Sequence, residues 1–291
     1  MSKLRIAIVH PWDRAKWSEP LMWDGLHGAL RLIGKKHQVD WFLQGDEPDD
    51  SYDWVIPWGV MSIPFNNTIE KFKGRKAIFC AGHPQDIANI EKFEAVFVES
   101  PAVQQEMSKH HKNVVLAFGT DTDFFRPRAS EKMFDAFYPA TFSDNWKRQY
   151  LFAQATKGYK AMACGLVQPD GVQSYEECLN NGVYVMAGLI PTRLVAQLYD
   201  MSRVGIITAW HGSERSTLEF MASNVPLVLV SDNELACSLV TDEVIIVKPD
   251  ADSIRAGFER ALRQEVNTRD YVLSKYSHKN YAQKIMEALE A

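Results

Sequence analysis

Between Leu4 and Pro249 the chain alternates two textures, and that alternation limits the fold more than anything else in the sequence. Short, nearly continuous apolar runs take turns with segments of helical spacing. The runs are LRIAIVH (4–10), VDWFLQ (39–44), DWVIPWG (53–59), KAIFCAG (76–82), EAVFVES (94–100) and NVVLAFG (113–119). Helical patterns lie between them, near 21–33, 66–72 and 101–110. Strands that read apolar on both sides of the pleat are buried on both faces. Such strands separated by helices build a parallel sheet covered above and below.

At GTDTDFFRPRAS (119–130) the periodicity stops, and Gly, Asp, Pro and Arg follow without order, as in a linker. A second alternation then begins with FDAFYPATF (134–142), GYKAMACGLV (158–167), GVYVMAG (182–188), VGIITAW (204–210), PLVLVS (226–231) and VIIVKP (244–249). Helices are expected near 147–158, 174–180, 191–201, 216–223 and 233–240, and the tail beyond residue 250 reads as helical. The expected architecture is α/β: two facing Rossmann-like domains with a cleft between them. The boundaries are 1–122 for an N-terminal acceptor-side domain, 123–133 for the linker and 134–291 for a C-terminal donor domain. The last helix is free to cross back to the first domain.

With 291 residues and 46% hydrophobic content, the chain can bury two ordinary cores. The net charge of −5 excludes a general affinity for nucleic acid, although a local basic groove remains compatible with it. No apolar run approaches the roughly 18 residues of a membrane span. MSKLRIAIVHPWD reads as a first strand rather than a signal peptide, because no small-residue cleavage site follows. Cys80, Cys164, Cys178 and Cys237 form no CxxC pair, which argues against a zinc site or a disulfide framework and fits a cytoplasmic location. No strand is followed by GxGxxG, so a dinucleotide oxidoreductase is not expected.

The densest chemistry lies in AWHGSERSTLEFMASNVPLVLV (209–230). A strand ends, HGSERS turns, and a helix opens. Ser213 or Ser216 could cap that helix, whose first N–H groups would favour an anion such as a phosphate. Glu219 falls too far into the helix to cap it and could instead hydrogen-bond a pair of ribose hydroxyls. The structural alternative is a capped helix with a solvated acidic face.

The C-terminal half resembles the retaining glycosyltransferases of family 4, whose fold is GT-B. HGSE, then RSTL, then EFMASNVP keeps the spacing of the family's Glu-Gly-Phe-Gly, four variable residues and Glu-Ala-Met-Ala-x-Gly-x-Pro. GLIPTRLVAQLYDMSRVGI, YSHKNYAQKIMEAL and FGTDTDFFRP resemble further family segments in the same order. The compact size is shared with virus-encoded members. The resemblance implies that Glu219 holds the donor ribose and that His211, at the place of the family's first glutamate, lies near the transferred sugar. Gly212, Ser213 and Glu214 would wrap the sugar and phosphates, with Thr217 on the same helix. Gly188 and Leu189, within Met186 to Ile190, would flank the nucleobase.

Two departures stand out. The family's phosphate clamp is an arginine and, about five residues on, a lysine. Here YPATFSDNWKRQ has Ala140 or Thr141 at the arginine's place, with Lys147 or Arg148 standing for the lysine. Arg215 could supply the missing charge. His211 for glutamate exchanges an acceptor-only group for one that can donate.

In the N-terminal half, CAGHP ends a strand at His83, where family members often place a histidine facing the donor sugar. The loop after the first strand carries Trp12, Asp13 and Trp17, which could shape the acceptor side by stacking on a ring. QGDEPDDSYD (44–53) reads as a solvated loop rather than a metal motif.

The implied activity is retaining, metal-independent transfer from a nucleotide diphosphate sugar, most simply a UDP-sugar, with no other cofactor. Catalytic roles would fall to His83, His211 and Lys147. The acceptor is a hydroxyl on a glycan, small molecule or protein, or on a hydroxylated DNA base; the last needs a cationic groove, for which KFKGRK (71–76) and KHHK (109–112) are the basic clusters. The other readings are a non-catalytic nucleotide-sugar binding protein and an epimerase on the same scaffold.

Overall fold

The computed structural model describes residues 3–11, 23–43, 45–46, 48–59, 71–80 and 90–291. Contacts divide the chain into two compact units, 1–121 with 277–291, and 122–276.

The first unit is a six-stranded parallel sheet of β1 (Arg5–His10), β2 (Gln38–Leu43), β3 (Trp54–Pro57), β4 (Arg75–Cys80), β5 (Ala95–Val98) and β6 (Val114–Leu116). Its strand order is β2-β1-β3-β4-β5-β6. β1 is almost wholly buried, as its continuous apolar run requires. Ile6, Ile8, Trp54, Phe79 and Phe97 of the strands pack with Leu26 and Leu30 of the helix Gly25–Ile33. Tyr281, Ile285 and Leu289 of the terminal helix His278–Glu290 complete this core. Asp24 caps the helix Gly25–Ile33 by accepting from His27 N at 3.0 Å. Gly25 is needed there because a Cβ would lie 1.8 Å from the carbonyl oxygen of Gly119.

The second unit is also a parallel six-stranded sheet: β7 (Phe134–Pro139), β8 (Ala161–Gly165), β9 (Tyr184–Ala187), β10 (Ser202–Ile207), β11 (Leu227–Val230) and β12 (Ile245–Val247). The order is β12-β11-β10-β7-β8-β9. Phe137, Tyr199 and Phe220 meet edge to face at its centre, with ring centroids 4.4 to 6.0 Å apart. Gly205 lets Phe220 press on β10, since a Cβ there would fall 2.5 Å from the ring.

Both sheets bear out the α/β architecture expected from the alternation. Several boundaries differ. The run 113–119 is a strand only over Val114–Leu116. The helix expected at 216–223 starts two residues earlier, spanning Glu214–Ala222. The aperiodic segment near 119–130 is anchored: Arg128 N donates to Asp200 Oδ1 at 2.7 Å, and Arg269 donates to the carbonyls of Thr122 and Phe125. Its backbone is therefore held by side chains of the second unit, Asp200 and Arg269. Among the described residues no helix is long and apolar enough to cross a membrane.

In an open parallel sheet, the loops that leave the carboxyl ends of adjacent strands diverge where the strand order reverses, leaving a crevice. In the second unit that point lies between β7 and β10.

Candidate active site

Two loops meet at the β7–β10 switch point, and backbone bonds zip them together. Thr208 Oγ1 lies 2.8 Å from the carbonyl of Lys147 and 2.9 Å from that of Arg148, and Tyr138 Oη donates to Lys147 O at 3.0 Å. Trp210 N donates to Trp146 O at 3.2 Å. Arg148 grips Asp232 with both terminal nitrogens, at 2.8 and 2.9 Å, and donates through Nε to Thr208 O at 2.8 Å. The amide of Asn233, itself buried, donates to the carbonyls of Ala209 and Gly212, both at 2.9 Å. The chain reverses through left-handed residues at Arg148 (φ 52°), Gly212 (φ 71°) and Ser213 (φ 73°). Two of these are not glycine, so the bonds around them hold a conformation that costs about 1–2 kcal/mol per residue.

This scaffold holds the Lys147 side chain over the turn. Lys147 Nζ donates to His211 O at 3.1 Å and to Ser213 Oγ at 3.0 Å. A Cβ on Gly212 would lie 2.9 Å from that ammonium and push the flexible end of Lys147 aside, and the left-handed φ of 71° also favours glycine. Burial pulls the Lys147 pKa down to about 8; the Glu214 carboxylate resists that shift and Arg215 adds to it. Burial raises the Glu214 pKa in turn, opposed by its own N–H and by Lys147. A partly desolvated ammonium beside a tight turn exerts a stronger field than one in water.

The helix Glu214–Ala222 begins at this point, and its first-turn N–H groups have no acceptor within the helix. Its positive end therefore adds to the field of Lys147. Ser213 occupies the N-cap, but its side chain makes no capping bond and accepts from Lys147 instead. Ser216, the alternative cap, lies inside the helix with its hydroxyl 3.4 Å from Pro139 O. The expectation of a side-chain cap is corrected: the left-handed backbone at Ser213 turns its hydroxyl toward the cation. Thr217 Oγ1 donates back to Ser213 O at 2.9 Å.

Glu219 is buried on the same helix, and its Oε2 accepts from Tyr199 Oη at 2.7 Å. Arg215 Nε lies 3.9 Å from Glu219 Oε1, on the more exposed side. Burial first, and the charge of Glu219 second, push the Cys164 thiol up to about 12 and keep it an inert neighbour. Gly188 and Leu189 follow β9, where Gly188 N bonds Gly165 O at 2.9 Å and Leu189 is exposed.

Lys147, His211, Gly212, Ser213 and Glu214 are thus gathered in one turn, with Thr217 and Glu219 on the helix behind it. Arg148 is turned to Asp232 and Arg215 to Glu219, so among the described residues Lys147 is the cation aimed at the turn. The helix expected near 66–72, together with His83, Trp12, Asp13 and Trp17, falls wholly or mostly outside the described residues. Sequence reasoning missed Tyr199, Asp232 and Asn233. The available signal was the SDN tripeptide after β11, a strand end beside the site.

No family model matches the chain, and no curated protein matches it. Solved structures do. HepE from Anabaena, crystallised with UDP and glucose, superposes with a TM-score of 0.73 at 12% identity over 99% of this chain and 100% of that one. AviGT4, a glycosyltransferase of avilamycin A biosynthesis, gives 0.69 at 13% identity over 99% and 97%. The fold is GT-B. WaaG, a glycosyltransferase of lipopolysaccharide biosynthesis, gives 0.64 at 10% identity over 97% and 98%. At such identities the likeness is one of fold.

Proposed function

We propose that the protein is a glycosyltransferase that moves a sugar from a nucleotide diphosphate sugar to a hydroxyl, without a metal and with retention at the anomeric carbon. The observation that carries the reading is the Lys147 ammonium, held partly desolvated over the Gly212–Ser213 turn at the β7–β10 switch point, with the start of the helix Glu214–Ala222 beside it. A departing diphosphate gathers negative charge as the bond to the sugar stretches. Donors placed beforehand around that charge lower the barrier. Lys147 and the first-turn amides are such donors, and Glu219 would hold the ribose hydroxyls.

In the reaction the bond between the anomeric carbon and the phosphate oxygen breaks, and the bond to the acceptor oxygen forms. The acceptor's proton passes to the departing phosphate. Retention in one step requires the hydroxyl to arrive on the face that the phosphate leaves, so the phosphate must stay clamped while the bonds exchange. UDP is the first nucleotide to test, because the similar Anabaena protein was crystallised with it.

Calorimetry and donor hydrolysis with wild type and Glu219→Ala test the assignment. UDP affinity should fall about tenfold, as expected for loss of a charged hydrogen-bond acceptor, and hydrolysis should fall with it. Equal affinity and activity in both proteins would remove Glu219 from the site. Donor binding without hydrolysis or transfer in wild type would favour a non-catalytic binding protein.

A further inference from the structure

The lip of the donor turn carries two tryptophans in water. Trp146 and Trp210 are 49% and 45% exposed, with ring centroids 6.2 Å apart and planes inclined by 24°. The His211 ring lies 5.7 Å from Trp146 and 5.4 Å from Trp210. The pair is fixed: the Trp210 indole N–H donates to Asn145 O, and Trp210 N donates to Trp146 O. Large aromatic rings normally gain by burial. Holding two of them rigid and half exposed on neighbouring loops keeps aromatic surface ready for a partner.

The chain order says which partner. Trp146 directly precedes Lys147, and Trp210 and His211 directly precede Gly212. Every ring on the lip is thus a chain neighbour of the proposed phosphate cradle. On the donor, the group bonded to the far phosphate is the transferred sugar. Ring C–H groups carry partial positive charge and are attracted to the negative face of an indole. We infer that Trp146 and Trp210, with His211, form an aromatic shelf that takes the C–H face of the transferred pyranose and selects which sugar the donor carries. This rests on the donor-site reading above. It also gives His211 a role: where a carboxylate would bind sugar hydroxyls, the imidazole extends the ring surface and can donate.

The test is calorimetry on the full chain with UDP, GDP and ADP, each alone and as its glucose conjugate, for wild type, Trp146→Ala, Trp210→Ala and Trp210→Phe. For the nucleotide that binds, each alanine variant should leave the plain diphosphate within about twofold and weaken the glucose conjugate about tenfold. Trp210→Phe should recover most of the loss. Equal weakening of both ligands would overturn the shelf, because the rings would then act only by shaping the Lys147 loop. Unchanged affinity for both, with a raised KM for the acceptor, would also overturn it by moving the rings to the acceptor side. A wild type that binds no nucleoside diphosphate would overturn the donor-site reading, and the shelf with it.

Discussion

The two units use the same sheet architecture and fill their strand ends with opposite chemistry. In the first unit, His10 closes β1, is buried, and stacks on Trp58 at 5.7 Å with its edge toward Trp41. Trp41 stacks in turn on His27, whose Nδ1 lies 2.8 Å from Asp24 Oδ1. These rings face one another and hold the unit together. In the second unit the Trp146 and Trp210 rings at the strand ends are exposed, and the Lys147 ammonium beside them is partly desolvated. A protein gains nothing from a dry cation unless an anion arrives. The contrast teaches that two parallel sheets can carry different chemistry near their strand ends: among the described residues, packed rings in the first unit and a charged turn in the second.

The largest effect should come from the first unit and should not touch binding. Trp54 is 1% exposed in the core, with the Arg75 guanidinium 4.1 Å from its ring centroid. Trp54→Ala should lose about 3–5 kcal/mol through the cavity it leaves. Denaturant unfolding should show the loss, while calorimetry at low temperature gives wild-type UDP affinity for the folded protein. A matching fall in affinity would break the comparison.

Lys147→Met should do the reverse. It should weaken UDP about 100-fold by removing charge-assisted hydrogen bonds, yet raise the unfolding midpoint without ligand. The sign follows from the pKa of about 8 in the fold against 10.5 unperturbed. Between those values the unfolded chain binds more protons, so stability of the unliganded protein rises with pH across that window. Below it, the buried charge costs up to about 3 kcal/mol, and methionine removes that cost. Wild-type UDP affinity should be flat between about pH 7 and 8, above the second ionisation of its terminal phosphate near 6, and fall up to tenfold per unit above pH 8. The bend should vanish in Lys147→Met; a bend that persists would assign the titration to another group.

How much of this was legible follows the same divide. β1 and β10 announced themselves by continuous apolar runs, and the parallel, helix-covered sheets followed from alternation, whereas strand order did not. The polar turn drew notice because HGSE-RSTL-EFMASNVP keeps the spacing of the family motif it resembles. What stayed hidden depends on side-chain direction. Lys147 and Arg148 are adjacent and chemically alike, but the left-handed φ at Arg148 sends one to the turn and the other to Asp232. Nothing in their spacing separates them. The Arg148 clasp and the Asn233 bridge join residues far apart in sequence, so only the folded sheet brings them together.

The smallest expected effect probes how finely the second unit places its carboxylate. Tyr199 Oη and Glu219 Oε2 are 2.7 Å apart in a buried setting, and burial pushes the Tyr199 pKa well up, with Glu219 reinforcing it. The phenol therefore stays protonated and donates, which fixes the rotamer of Glu219 with Oε1 on the side of Arg215. Tyr199→Phe keeps the ring packed against Phe220 and Phe137 but removes that donor. UDP should weaken about fivefold, while 2′-deoxy-UDP, which offers one hydroxyl fewer, should weaken less. The narrowing of that difference is the readout, because a merely structural loss would weaken both ligands equally. If the two fall together, Tyr199 belongs to the core alone, and the second unit's chemistry stops at the turn that Lys147 spans.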